Sequence, residues 1–120
     1  MPVKEIPKDW ITLFPRDAHI LIPTGMEDYI PSIAEVDLIP QEKIMLWVKL
    51  FSPVSNWTWY VAAYDPESKI AFGYVEGFEN EWGDFSIEEL ETTPLPFGLR
   101  IERDLWFTPV LFPELKGGSQ

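Results

Sequence analysis

The sequence predicts an α+β domain, an antiparallel sheet of about five strands with two or three short helices. Three observations carry that expectation. Twelve Pro and seven Gly in 120 residues demand frequent turns and leave little room for long helices. Aromatic residues make up 15 % of the chain, six of them Trp, and large rings fill a small core with few side chains. The middle of the chain runs as successive segments of aromatic and β-branched residues separated by turn signals.

Residues 1 to 20 are broken by Pro2, Pro7 and Pro15 and read as an irregular arm, anchored by Trp10, Leu13 and Phe14. Thr24 to Ile30 has the spacing of a short helix, with Thr24 as cap and Glu27 completing a capping box. Pro31 ends it, and a second short turn follows through Ile33 and Val36. Lys43 to Phe51 reads as a central strand, with Ile44, Leu46, Val48 and Leu50 on one face and Met45, Trp47, Lys49 and Phe51 on the other. Trp57 to Tyr64 and Lys69 to Glu76 are the next two strands, joined by the turn Asp65-Pro66-Glu67-Ser68. A short strand at Trp82 to Phe85 leads into a helix at Ile87 to Glu91, capped by Ser86 with Glu89 three residues on. After a Pro-rich loop, Arg100 to Phe107 is the last expected strand. The domain is thus expected to span 21 to 115, with 116 to 120 as a flexible tail.

Charge restricts the partners. Twenty acidic residues against nine basic ones give a net charge of −11, a field that repels phosphate backbones and anionic lipid. Direct nucleic-acid binding is disfavoured. No apolar run approaches the roughly 20 residues of a membrane span, and the N-terminal residues lack the apolar core of a signal peptide. The chain has no cysteine, which rules out disulfides, thiolate chemistry and cysteine-based zinc sites and suits a cytoplasmic setting.

The acidity is a property of one segment. Between Asp65 and Glu91, nine acids face one cation, Lys69, and Glu76, Glu79, Glu81, Asp84 and Glu88 form its candidate partner surface. Three roles fit it: a solvated face with helix-capping acids, a surface for a basic protein partner, or a divalent-cation site. An acidic, aromatic-edged surface can also imitate a phosphate track on another protein. The metal reading lacks the spacing of an EF-hand loop.

A second candidate is a pocket near Trp57, Trp59 and Arg103. Strand alternation puts Trp57 and Trp59 on one face, as core or as a platform for a flat ligand. Arg103 shares a face with Ile101, Leu105 and Phe107, and a guanidinium among apolar neighbours requires a partner. The expected partner is a carboxylate. Catalysis has little support: His19, the single histidine, lies in the arm away from any nucleophile pattern, and no Gly-rich phosphate loop is present. No catalytic residue, metal ligand or cofactor is assigned, and enzymatic activity is the less favoured reading.

Several short runs occur in a familiar order: Val48-Lys49-Leu50-Phe51-Ser52-Pro53, Ser55-Asn56-Trp57-Thr58-Trp59-Tyr60, Ala71-Phe72-Gly73 and Gly77-Phe78-Glu79. Glu81 before Gly83, Phe85-Ser86 with Glu89-Leu90, and Ile101-Glu102-Arg103-Asp104-Leu105 ahead of Phe107 complete them. From Leu21 to Leu115 the chain resembles the bacterial domain of unknown function 2958 family. The resemblance implies no known activity, cofactor or catalytic residue. It implies a bacterial cytoplasm and an association with mobile elements carrying DNA-transfer and defence genes, hence a protein-binding or antirestriction-like role. Two places depart from the family pattern: Trp82, where a small or aliphatic residue is usual, and Pro94-Leu95-Pro96-Phe97-Gly98, in place of a Gly-Pro-Leu-Gly turn.

Overall fold

Alternating aromatic and β-branched residues build a five-stranded antiparallel sheet. A computed structural model describes residues 5 to 118, with side chains described for 5 to 115. One-turn helices α1 (Trp10–Leu13) and α2 (Ile33–Val36) precede the strands β1 (Met45–Leu46), β2 (Val48–Phe51), β3 (Thr58–Asp65), β4 (Ile70–Glu76) and β5 (Asn80–Ser86). Helix α3 (Ile87–Thr92), the short strands β6 (Glu102–Arg103) and β7 (Val110–Leu111), and helix α4 (Phe112–Gly118) follow. The main sheet has the order β5-β4-β3-β2-β6, and β1 pairs with β7 in a separate two-stranded sheet.

Local chemistry sets the turns. Asp65 closes the β3–β4 hairpin by accepting from the Glu67 N–H (3.1 Å) and the Ser68 hydroxyl (2.7 Å), and these bonds hold its carboxyl below the usual range. Gly77 makes room at the β4–β5 hairpin, because a Cβ there would stand 2.5 Å from the Trp57 ring. Ser86 caps α3 by accepting from the Glu89 N–H at 3.1 Å. Ser32 and Glu35 form a reciprocal capping box on α2.

Both faces of the sheet are covered. The first face, with Val48, Leu50, Val61 and Ala71, packs under Trp10, Phe14, Leu21, Met26, Ile30, Ile87 and Ile101. Tyr60, Ala62, Ala63 and Tyr74 on the second face pack against Val36, Ile44, Leu46 and Phe112. Alternation slips once on each of two neighbouring strands. Ile44 and Leu46 belong to the second core whereas Val48 and Leu50 belong to the first, so the expected single face for these four residues is corrected. The slip falls at Trp47, where β1 leaves to join β7. Beside it, β3 carries a bulge between Val61 and Ala63. The bulge brings the β3 main chain close to Gly73, where a Cβ would clash with the Tyr60 carbonyl.

Other expectations change in detail. Leu13 is 42 % exposed, so Trp10 and Phe14 anchor the arm without it. The helix expected at 24 to 30 is a 3-10 turn, Met26–Asp28: Gly25 sits in the left-handed region (φ 97), and the Glu27 carboxylate accepts from the Gly25 N–H in place of a Thr24 cap. The last strand shortens to β6 because Asp104 turns the chain, accepting from the Trp106 N–H at 2.9 Å. Strand β7 and helix α4 were not expected. Residues 116 to 118 of the expected tail continue the α4 backbone, and 119 and 120 lie outside the described residues.

Candidate functional site

The five acids gather around one sheet edge and occupy both of its faces. Glu76 ends β4, half-buried on the second face opposite Asn80. Glu79 lies in the hairpin turn, exposed. Along β5, Glu81 opposes Val75 on the first face and Asp84 opposes Phe72 on the second, both exposed. Glu88 is exposed in the first turn of α3. No Lys, Arg or His occurs between 70 and 99. Among the described residues the ion pair found is Lys49 with Asp104 (3.8 Å), away from this group. Glu91 is employed differently, accepting from the Leu21 N–H at 3.1 Å and tying the arm to α3. The field also reaches the core. Burial first, then the charges of Glu76 and Asp104, push the Tyr60 hydroxyl up to about 12.

An aromatic group borders the acids. Trp57 and Trp59 stack with ring centroids 5.9 Å apart, and Phe78 meets Trp57 edge-on at 5.6 Å. Both Trp are half-buried, and Trp59 packs on the first core. Phe78, at the hairpin tip between Gly77 and Glu79, is 94 % exposed. Its signal in the sequence is a Phe in a turn among acids. Trp82 faces the other way, stacking on Phe72 at 5.8 Å and meeting Phe112 at 4.8 Å.

Arg103 lies on the far side of the same sheet face. Leu50 of β2 stands opposite Trp59 on one side and Arg103 on the other, so two strand spacings, about 10 Å, separate their main chains. The expected carboxylate is replaced by backbone. Arg103 Nε donates to the Ile20 carbonyl (2.9 Å), and its terminal nitrogen donates to those of Pro15 (2.7 Å) and Asp17 (3.3 Å). Carbonyls satisfy the fork because the arm runs irregularly there: among the described residues no backbone N–H reaches those of Pro15 and Ile20, whereas that of Asp17 also accepts from the Ile20 N–H at 3.2 Å. Burial, then the neighbouring Arg16, lowers the Arg103 pKa, partly offset by Asp17. A cavity of about 10 Å³ beside Arg103 is lined by Trp10, Trp47 and Asp104 among others, and by neither Trp57 nor Trp59. His19 is exposed.

A larger open cleft, about 420 Å³, runs between the end of α3 and the Pro-rich loop, lined by Glu91, Leu95, Leu99 and Arg100. Phe97 in that loop is 94 % exposed in the left-handed region (φ 65). Among the described residues, no three His, Asp or Glu side chains gather as a metal-binding group. No helix there is long and apolar enough to cross a membrane.

Comparison with known proteins adds one finding. No curated protein and no solved structure matches the chain. A family model described as Protein of unknown function (DUF2958) matches residues 32–112, from the cap of α2 through the first residue of α4. That span holds the whole main sheet, the acidic hairpin and Arg103, and covers about two thirds of the sequence; the chain belongs to the DUF2958 family.

Proposed function

We propose that this chain is a non-enzymatic interaction module whose acidic hairpin meets a basic surface on a partner protein. The observation that carries this reading is the placement of Glu76, Glu79, Glu81, Asp84 and Glu88 around one sheet edge with no cation between residues 70 and 99. Acids used for stability alone are commonly paired or placed as caps, as Glu35 is. Glu76, Glu79 and Glu81 lie at the hairpin end that carries the exposed Phe78 and the Trp57–Trp59 stack, and rings near carboxylates suit Lys and Arg side chains. Dense negative charge speeds encounter with a positive patch and loses that effect with salt. A DNA-binding groove is one such patch, and an antirestriction-like role on a mobile element would use it.

The test is titration of purified basic DNA-binding proteins with the wild-type chain and with a Glu79→Lys, Glu81→Lys, Glu88→Lys variant. Wild type should bind at low salt, weaken as salt rises and be displaced by DNA. The variant should not bind. Equal binding by both chains would overturn the proposal.

A further inference from the structure

The main chain of β5 offers more than charge. It forms one edge of the main sheet, and the phase of its hydrogen bonds can be read from the two ends of the hairpin. Gly77 N–H donates to the Glu79 carbonyl (3.2 Å), and Ile87 N–H donates to the Lys69 carbonyl (2.9 Å). In an antiparallel ladder, hydrogen-bonded pairs alternate with non-bonded ones. The β4–β5 register is unbroken from Ile70↔Ser86 to Glu76↔Asn80, so both bonds place the odd-numbered residues of β5 in bonded pairs with β4. Asn80, Trp82 and Asp84 therefore turn their N–H and C=O groups outward, away from the sheet. No other described element pairs with that side.

An edge of seven residues is long enough to template another strand. Natural edges are commonly blunted by shortness, Lys, Pro or a bulge. The opposite edge, β6, has two residues. Strand β5 has no Pro, no Lys and no bulge against β4; its charged residues are Glu81 on one face and Asp84 on the other. That arrangement disfavours a second copy, which would bring two more acids to an edge that already carries two. It does not guard against a cationic strand. On the first face the space over Gly83 is open, with no atom within 4 Å of a Cβ built there. A side chain from an added strand has room at that position.

We infer that β5 takes up an extended basic segment of the partner as a sixth strand of the sheet. Asn80, Trp82 and Asp84 supply the main-chain bonds, and Glu81 and Asp84 pair with Lys or Arg side chains on the two faces. This rests on the reading of the acidic hairpin as the partner surface and adds how the partner is held.

The probe is a labelled peptide repeating Lys-Lys-Thr-Thr over about ten residues, enough to span the edge and to set Lys on both faces. It is compared at low salt with a Lys–Gly peptide of equal charge and length. The Lys–Thr peptide should bind more tightly, because Thr favours extended backbone and Gly does not. Asp84→Asn and Asp84→Pro remove the same charge, and only the second removes an outward N–H. Asp84→Pro should bind the Lys–Thr peptide about tenfold more weakly than Asp84→Asn, the effect of one hydrogen bond. Should Asp84→Pro not fold, Asn80→Pro at the first strand position gives the same comparison against wild type with no change of charge. Equal affinities for the Pro and non-Pro chains, with binding still abolished by the triple Lys variant, would overturn strand addition and leave the acidic surface standing. Binding undiminished by the triple variant would overturn both.

Discussion

Removing the Arg103 guanidinium strands two arm carbonyls at once, those of Pro15 and Ile20, and leaves that of Asp17 with the Ile20 N–H alone. Arg103→Met should therefore cost about 2–4 kcal/mol in urea denaturation and speed amide exchange at Arg103 and around residues 15 to 20, where its own N–H meets the Ala18 carbonyl. Arg103→Lys should recover only part of this, since an ammonium cannot reproduce the planar fork. Unchanged stability in the Met variant would show that the arm is held by Trp10 and Phe14 alone. At this scale the sequence was legible where partners are near. Ser86 and its α3 cap, three residues apart, were readable. The carbonyl partners of Arg103 lie more than 80 residues away and carry no side-chain signature, so a carboxylate was the natural expectation.

Among the elements, the sheet depends on a close approach at Gly73 that its neighbour Gly83 does not share. The two are paired across β4 and β5. A Cβ at Gly73 meets the bulged β3 backbone, whereas one at Gly83 meets nothing. Gly73→Ala should destabilise by about 3 kcal/mol and Gly83→Ala by no more than about 0.5 kcal/mol, read as shifts in denaturation midpoint. Equal effects would contradict the bulge geometry. Strands β3, β4 and β5 were legible because each runs seven or eight residues with clear turn signals between them. The break at Trp47 was not, because Ile44 to Val48 is an unbroken apolar run in which a change of face leaves no mark. Two-residue strands such as β6 and β7 are too short to show a period at all.

Across the whole molecule, a sheet covered on both faces carries its unbalanced charge at one open edge. The clustering of acids was visible in the sequence as a run without cations. Its relation to an edge was not, since strand order depends on which hairpin ends the sheet. The division of Glu81 and Asp84 between the two faces follows from their odd spacing. The pocket expected near Trp57, Trp59 and Arg103 presumed a closeness in space that strand order alone decides; β2 stands between the Trp pair and Arg103.

The central claim is that a basic strand pairs with β5, and amide exchange by NMR tests it most directly. With the Lys–Thr peptide at saturation, the N–H groups of Asn80, Trp82 and Asp84 should become protected, while those of Glu81, Gly83 and Phe85, already bonded to β4, should change little. Bound peptide that leaves the exchange of Asn80, Trp82 and Asp84 as fast as in the free chain would contradict the account.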